Sequence, residues 1–242
     1  MKYAIIAAGE GSRLAAEGVA VPKPLVEVNG EKLVDRLIRI FMDNGASRIV
    51  VICNDMAKAV AAHLHEVQRF GLRGQDVPLD VVVKTTPSSM HSFFEMRELL
   101  SDEPFCLTTV DTIFGERKFA EYVAAFKKSV EEGLYDGMMG VTDFIDDEKP
   151  LYVETDSELD ITGFADRSDN CHLISAGVYG LKPGSIGVLE DCVARGESRM
   201  RNFQRALVEN GFRLKAWPLG KVTDIDHASD ITKAEDFLKE ER

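Results

Sequence analysis

The chain has 242 residues, of which 45% are hydrophobic, and a formal net charge of -12 at pH 7. This acidic balance argues against a nucleic-acid-binding surface, because such surfaces need clustered Lys and Arg side chains that face phosphates. No apolar stretch approaches the roughly 18 residues needed to span a membrane, and the N-terminus lacks the pattern of a secretory signal. The length permits one large α/β domain. From the charge and the short apolar stretches, we expect a soluble cytoplasmic protein without a membrane or nucleic-acid partner.

The first predicted element is a strand over residues 3–8, an apolar run that is typical of a buried parallel strand. A glycine-rich loop follows, in which Gly9 and Gly11 lack Cβ atoms and let consecutive N–H groups approach an anion. Arg13 adds a cation to this loop. Further along the chain, a proline on each side of Lys23 restricts the backbone that carries a second cation. Together these features predict a phosphate-binding site.

Two common phosphate-binding motifs do not fit this loop. The dinucleotide-binding pattern requires a third glycine where Leu14 stands, and the G-K-[ST] sequence of a Walker A loop has no match in the chain. The remaining G-x-G-x-R pattern could by itself be an ordinary tight turn after a strand. The P-K-P segment that follows favours the phosphate-binding interpretation.

The segments AAGEGSRL and PKPLVEVNG resemble the nucleotidyltransferases that join a nucleoside triphosphate to a sugar 1-phosphate or a related phosphate and release pyrophosphate. The resemblance implies a Rossmann-like three-layer α/β/α fold, with a mostly parallel mixed sheet and a small antiparallel acceptor-binding lid. It also implies that Arg13 and Lys23 act as catalytic residues at the reacting centre. The nucleotide-binding residues that it implies in this part of the chain are Ala7, Ala8, Gly9, Gly11, Ser12 and Arg13.

Helices and strands alternate along the next part of the chain. From apolar spacings of three and four, helices are predicted over residues 31–44, 56–70 and 119–132. From apolar and β-branched runs, strands are predicted over residues 47–53, 79–84, 104–110 and 137–144. This alternation predicts an α/β sheet.

A further helix is predicted to start at Ser88 or Ser89, either of which can cap it. In the nucleotidyltransferase family this stretch is usually a glycine-threonine-alanine loop that faces the base and the ribose. The resemblance therefore implies that Ser89 and Ser92 contact the nucleotide, whereas a plain capped helix is the alternative. The serine-rich sequence leaves the identity of the base open.

Three aspartates are candidate metal ligands. Asp111 stands at the C-terminal end of the predicted strand 104–110, where open α/β sheets bind ligands, although an aspartate there is often only a cap. Asp224 and Asp226 flank Ile225, so an extended backbone would place both carboxylates on one face. Both segments resemble metal-binding segments of the family, which implies that Asp111, Asp224 and Asp226 bind Mg²⁺ beside the triphosphate. Helix capping by Asp224 or Asp226 is the alternative.

After residue 150 the pattern changes to consecutive strands, which we interpret as a lid inserted into the sheet. These strands are predicted over residues 151–155, 158–164 and 173–181, after an acidic segment, 143–150, that is interpreted as a solvated turn. The run ITGFADRSDNCHLISAGVYGL resembles the acceptor-binding region of the family, which implies that Asp166, Arg167 and Gly177 bind the acceptor. A salt-bridged exposed turn is the alternative for Asp166 and Arg167. Helices over 184–194 and 200–210, a strand over 212–218 and a helix from Ser229 or Asp230 complete the prediction.

The resemblance spans most of the chain and predicts one nucleotidyltransferase domain over residues 1–242. Residues 1–145 are predicted to form the nucleotide-binding half, and residues 146–242 the acceptor-binding lid and metal-binding end. The predicted partners are an NTP and a phosphorylated small-molecule acceptor, for which a sugar 1-phosphate is the first candidate. A cytidylyltransferase acting on phosphocholine or another non-sugar phosphate is the alternative, and a non-catalytic regulatory homologue is the alternative of another class. A homo-oligomer is left open.

Overall fold

The computed structural model describes residues 1–145, 149–168 and 170–241. In chain order the strands are β1 (Lys2–Ala7), β2 (Glu27–Val28), β3 (Glu31–Lys32), β4 (Arg48–Cys53), β5 (Leu79–Val83), β6 (Phe105–Thr109), β7 (Thr112–Phe114), β8 (Gly137–Thr142), β9 (Tyr152–Thr155), β10 (Ile161–Ala165), β11 (Ile174–Leu181), β12 (Leu214–Pro218) and β13 (Val222–Asp224). The helices are α1 (Ser12–Ala16), α2 (Leu33–Asp43), α3 (Lys58–Phe70), α4 (Ser89–Leu100), α5 (Glu116–Glu131), α6 (Ser185–Ala194), α7 (Met200–Glu209) and α8 (Ala228–Glu240). Lys23–Leu25 forms a 3₁₀ turn.

The central layer is a mixed sheet with the strand order β10-β9-β11-β6-β1-β4-β5, in which β8 also pairs with β11 and β12 pairs with β8. Strands β6, β1, β4 and β5 run parallel to one another, whereas β11 is antiparallel to both β6 and β8. Strands β9 and β10 form an antiparallel pair at one edge. Two small antiparallel sheets, β7 with β13 and β2 with β3, lie outside the main one. The predicted mostly parallel mixed sheet is confirmed.

Side chains of the sheet alternate between two hydrophobic cores. In β1, Tyr3 and Ile5 face a core that also contains residues of α2, α3, α5 and α8. Ala4 and Ile6 face the opposite core, with residues of α4, α6 and α7. All six residues of β1 are buried, as expected for a parallel strand covered on both faces. The predicted three-layer α/β/α fold is confirmed.

Several short elements differ from the sequence-based expectation. The helix predicted from residue 31 begins at Leu33, because the residues before it form the β2–β3 hairpin. Asn29 and Gly30 connect the two strands with positive φ angles of 51° and 77°, the backbone that an Asn-Gly hairpin turn requires. The short helix α1 and strand β7 were also not predicted, because each is too short to show a hydrophobic period.

The segment between β8 and β9 is described only in part. Of the acidic turn predicted over residues 143–150, residues 146–148 lie outside the described residues. Before this gap, the side chains of Phe144 and Ile145 are exposed by 38% and 46%. Along the described part of the chain, every helix is too short or too polar to cross a membrane.

Candidate active site

The glycine-rich loop packs directly against the segment that carries Lys23. Gly11 has a φ of 61°, in the left-handed region that glycine adopts without strain, and α1 starts at the next residue. A Cβ atom on Gly11 would lie 3.2 Å from the Cβ atom of Lys23. Both the backbone angle and this close approach favour glycine here. The two halves of the N-terminal motif are therefore neighbours in space.

Lys23 lies between two of the predicted metal ligands. Its Nζ atom is 2.7 Å from Oδ2 of Asp111 and 2.8 Å from Oδ1 of Asp226, and its side chain is only 11% exposed. Burial disfavours the charged ammonium, but the carboxylates of Asp111 and Asp226 outweigh burial and hold the pKa of Lys23 above its ordinary value. Lys23 is thus a partly buried, positively charged side chain.

Asp226 also pairs with Arg13, the other cationic side chain of the N-terminal motif. Its Oδ2 atom is 2.8 Å from Nη1 of Arg13, whose side chain is 57% exposed. Asp226 therefore uses one oxygen for Lys23 and the other for Arg13. This carboxylate holds both cationic side chains of the N-terminal motif at one place, although the three residues come from opposite ends of the chain.

Asp111 and Asp224 are brought together by the small β7–β13 sheet. Asp224 is opposite Thr112 in this sheet, and the N–H of Ile225 donates to the carbonyl oxygen of Asp111 over 3.2 Å. Asp224 lines a cleft, and its surface stays open to water although many protein atoms lie near the carboxylate. Burial and then the negative charge of Asp111 raise the pKa of Asp224 to about 7. The negative charge of Asp224 is thus not fully offset by its surroundings.

Two neighbouring carboxylates of this kind fit Mg²⁺, which is usually held by one or two protein carboxylates together with substrate phosphates and water. Among the residues that the structure describes, no group of three or more His, Cys, Asp or Glu side chains could hold a metal ion by itself. The assignment of Asp111, Asp224 and Asp226 as Mg²⁺ ligands stays a prediction. Asp111 is paired with Lys23, and Asp226 is paired with both Lys23 and Arg13.

A cavity of about 370 Å³ lies between the glycine-rich loop and the residues that follow β5. Its lining residues are Ile6, Ala8, Gly9, Glu10, Gly11, Lys23, Asn54, Thr85, Thr86, Pro87, Ser88, Ser89, Ser92, Thr109, Val110 and Asp111. We call it the first cavity. It contains five of the eight predicted nucleotide-binding residues; Ala7, Ser12 and Arg13 are not among its lining residues.

The sequence analysis missed the polar side chains at the base of the first cavity. Asn54 is 5% exposed, and its Oδ1 atom accepts hydrogen bonds from the N–H of Met56 and the hydroxyl of Thr85, each over 2.8 Å. The hydroxyl of Thr86, which was also missed, is 2.6 Å from that of Ser92, one of the predicted nucleotide-binding residues. Asn54 directly follows β4, and its position at the C-terminal end of a parallel strand was the signal that could have identified it. Ser88, rather than Ser89, caps α4 through the N–H of His91.

A second cavity, of about 380 Å³, lies on the side of the lid. Its lining residues are Arg13, Thr142, Phe144, Lys149, Ile174, Ser175, Ala176, Val222, Thr223, Asp224, Asp226, His227, Asp230 and Lys233. We call it the second cavity. The first cavity contains Lys23 and Asp111, the second contains Asp224 and Asp226, and the ion pairs of Lys23 with Asp111 and Asp226 join the two.

The predicted acceptor-binding residues do not line either cavity. Asp166 forms ion pairs with Arg201 and Arg205 of α7, the latter at 2.9 Å, and these cations hold the pKa of Asp166 below its usual value. This arrangement is the salt-bridged exposed turn of the alternative interpretation. The structure likewise does not place Arg167 in a cavity. A role of these two residues in acceptor binding stays a prediction.

The backbone of Gly177 lies close to Thr112, which is next to Asp111 in the chain. It has a φ of 70°, and a Cβ atom on it would lie 3.3 Å from Oγ1 of Thr112, the residue after Asp111. We expect Gly177→Ala to lower the free energy of unfolding by about 1–2 kcal/mol, because alanine is strained at this φ. Urea unfolding would measure the change. Gly184→Ala is the control, because Gly184 has a φ of -56° and open space around its Cβ position; equal unfolding midpoints of the two variants would contradict the prediction.

Several characterised proteins are similar to the chain. The UTP–glucose-1-phosphate uridylyltransferase AglF of Haloferax volcanii is 24% identical over 100% of this chain and 98% of the relative. A 73-residue stretch is 27% identical to a UTP–glucose-1-phosphate uridylyltransferase of Synechocystis sp., but it spans 19% of that relative's length.

Two solved structures have the same fold. The inositol-1-phosphate CTP transferase of T. maritima matches with a TM-score of 0.77 and 22% identity, over 99% of this chain and 95% of the other. A UDP-glucose pyrophosphorylase complexed with UDP-glucose matches with a TM-score of 0.80 and 15% identity over the full length of both chains. The model of the nucleotidyl transferase family matches residues 2–241, and the protein therefore belongs to that family.

Proposed function

We propose that the protein transfers a nucleoside monophosphate from an NTP to a sugar 1-phosphate, releasing pyrophosphate and forming an NDP-sugar. The observation that carries this proposal is the junction of the two cavities at the ion pairs of Lys23 with Asp111 and Asp226. A triphosphate in the first cavity and a phosphorylated acceptor in the second would meet at this point. The names of the uridylyltransferase relative AglF and of the UDP-glucose pyrophosphorylase support the same class of reaction.

Each half of the chain contributes to this arrangement. We propose that residues 1–145 supply the nucleotide site, with the loop N–H groups, Arg13 and Lys23 holding the phosphates. Residues 146–242 supply the lid side and Asp224. Asp111 and Asp224 would hold Mg²⁺, which supplies positive charge to offset the charge of the phosphates when bound. Asp226 would position Arg13 and Lys23, with both of which it forms ion pairs.

The mechanism follows from the charges of the reactants. A phosphate oxygen of the acceptor attacks the α-phosphorus of the NTP, the bond to the β-phosphate oxygen breaks, and pyrophosphate leaves. Because the attacking oxygen is already anionic, the reaction needs no general base on the protein. The protein contributes mainly by positioning the two phosphates and by stabilising negative charge, with Lys23 at the point where the reactants meet.

The second cavity favours a hydroxylated acceptor over phosphocholine. A quaternary ammonium group is recognised by several aromatic faces arranged around it. Among the described lining residues Phe144 is the only Phe, Tyr or Trp, and Nζ of Lys221 already lies 4.9 Å from the centroid of its ring. The hydroxyls of Thr142 and Ser175 can instead bond the hydroxyls of a sugar or polyol.

A screen of pyrophosphate release tests the proposed function. UTP, CTP, dTTP, GTP and ATP would each be combined with glucose 1-phosphate, inositol 1-phosphate and phosphocholine in the presence of Mg²⁺, with reactions lacking acceptor as the control. We expect a phosphorylated sugar or polyol to support a rate at least about tenfold above that with phosphocholine, a difference of about 1.4 kcal/mol in transition-state binding. A maximum with phosphocholine and CTP would favour the cytidylyltransferase alternative. Absence of release with every pair would favour a non-catalytic homologue.

A further inference from the structure

The start of α8 is tied to the end of α1 through one carboxylate, that of Glu17. Glu17 directly follows α1, and its Oε1 atom is 2.6 Å from Nδ1 of His227. Its Oε2 atom accepts a hydrogen bond from the N–H of Ala228, the first residue of α8, over 2.7 Å. Both oxygens of Glu17 are therefore bound by residues that lie 210 and 211 positions further along the chain.

Glu17 is ionised in this contact. The hydrogen bond with His227 is the main cause that holds the pKa of Glu17 below its ordinary value, and the bond from the N–H of Ala228 adds to it. Because a carboxylate can only accept hydrogen bonds, Nδ1 of His227 carries the proton. The negative charge also lies at the N-terminus of α8, where the unpaired N–H groups of a helix need acceptors. The tie therefore consists of directional hydrogen bonds as well as an ion pair.

The first turn of α8 has a second support that is local. Oδ2 of Asp230 accepts from the N–H groups of His227, over 2.8 Å, and Asp226, over 3.2 Å. These bonds lie within residues 226–230, so they do not depend on Glu17. Loss of Glu17 would therefore separate α8 from α1 without unfolding the first turn of α8.

The two segments that Glu17 ties together also meet at the cations of the N-terminal motif. Arg13, in the first turn of α1, is 2.8 Å from Oδ2 of Asp226, and the other oxygen of Asp226 binds Lys23. Arg13 and Glu17 are four residues apart, a spacing that places two side chains on the same side of a helix. Asp226 and His227 are neighbours in the chain. The same segments are thus joined twice, and the contact through Glu17 limits how far Asp226 can move away from α1.

We propose that Glu17 is a positioning residue, which holds the start of α8 so that Asp226 stays beside the two cations of the N-terminal motif. The inference rests on the proposed function, because that function assigns Arg13 and Lys23 to the phosphates of the NTP. Glu17 lines neither cavity, so it acts through Asp226 and not by contact with a reactant. No local pattern marked Glu17 in the sequence, because α1 is too short to show a hydrophobic period.

The sign of the effect distinguishes positioning from simple electrostatics. The phosphates of an NTP are anionic, so removal of a nearby negative charge would by itself tighten NTP binding. Positioning predicts the opposite result for Glu17→Ala. The start of α8 is then free to move, Asp226 holds the two cations less firmly, and NTP binding weakens.

Glu235, in α8, offers a matched control. Its Oε1 atom accepts from the N–H of Asn29 over 3.2 Å, so it also ties α8 to the N-terminal part of the chain. Glu235 lines neither cavity. Glu17→Ala and Glu235→Ala therefore each remove one negative charge and one bond from a carboxylate to a backbone N–H. Only Glu17→Ala frees the residues next to Asp226.

Isothermal titration calorimetry of UTP, CTP, dTTP, GTP and ATP, with Mg²⁺ and without acceptor, gives the first test. We expect Glu17→Ala to raise the Kd of the NTP that binds at least about fivefold over the unmodified protein and over Glu235→Ala. Glu17→Gln is expected to keep most of the affinity, because its amide can accept from the N–H of Ala228 and donate to Nδ1 of neutral His227. Unchanged or tighter binding by Glu17→Ala, an equal loss in Glu235→Ala, or no NTP binding by the unmodified protein would overturn the inference.

A double-mutant cycle tests whether Glu17 acts through Asp226. Circular dichroism and urea unfolding would show that each variant is folded. In the Asp226→Asn background, we expect Glu17→Ala to change the Kd of the NTP by less than about twofold, because the side chain that Glu17 positions is already altered. If no NTP and acceptor pair releases pyrophosphate, the proposed function fails, whereas these titrations still decide the role of Glu17. A full fivefold loss in the Asp226→Asn background would overturn the inference, because Glu17 would then act by another route.

Discussion

Replacement of Lys23 by alanine is expected to lower kcat by at least tenfold, and by about 100-fold if its ammonium contacts the phosphates mainly in the transition state. The side chain lies where the two cavities join, is 11% exposed and contacts both Asp111 and Asp226. Its removal deletes a charge at the point where we propose that the phosphates react, and it leaves two carboxylates without their shared cation. We therefore expect a catalytic defect in a folded protein.

The measurement is single-turnover and steady-state pyrophosphate release, with circular dichroism and urea unfolding to show that the variant is folded. Lys182→Ala is a suitable control, because Lys182 is also partly buried and paired with an aspartate, Asp136, but lies outside both cavities. Near-normal kcat in Lys23→Ala would rule out the assigned catalytic role. An equal loss in Lys182→Ala would instead indicate a general structural effect.

The second large effect is expected from Asp224→Asn. This substitution removes one of the two carboxylates that we propose hold Mg²⁺, and it keeps the size of the side chain. We expect the Mg²⁺ concentration for half-maximal activity to rise at least about tenfold, as is common when a metal ligand or its close partner is replaced. Pyrophosphate release measured across a Mg²⁺ titration at fixed NTP would show the shift.

Asp226→Asn is the informative comparison, because Asp226 lies two residues away but already binds Arg13 and Lys23. Its substitution is expected to raise the KM for the NTP by loosening these two side chains, with little change in the Mg²⁺ titration. Equal shifts of the Mg²⁺ titration in both variants would mean that Asp226 is a ligand as well. An unchanged titration in Asp224→Asn would remove Asp224 from the metal site.

The sequence predicted the main elements of this fold because their signals are local. The apolar run of β1, the spacing of three and four in α2 and the β-branched run of β5 each extend over several residues, and each was confirmed. Elements of two to five residues do not show such a period, and α1, β7 and the β2–β3 hairpin were missed. The Asn29-Gly30 turn did carry a hairpin signal, but it was hidden beside a strong helix pattern.

In the site, too, residues within a short local motif were recognised from the sequence, whereas residues that only folding brings together were not. The glycine-rich loop and the P-K-P segment were recognisable because short-range backbone restrictions determine them. Asn54, which lines the first cavity, was missed because it has no motif around it. The resemblance assigned Asp166 to the acceptor site; in the structure Asp166 pairs with Arg201 and Arg205 of α7, and its role in acceptor binding stays a prediction.

Local chemistry was therefore enough to indicate an α/β nucleotidyltransferase with a phosphate-binding loop at its N-terminus. Which charged side chains meet was decided by the tertiary structure alone, because Lys23 contacts residues that are 88 and 203 positions away along the chain. Those contacts depend on the order of the strands in the sheet and on the pairing of β7 with β13. Neither leaves a pattern in neighbouring residues, because strand order and long-range pairing are set by the packing of the whole domain.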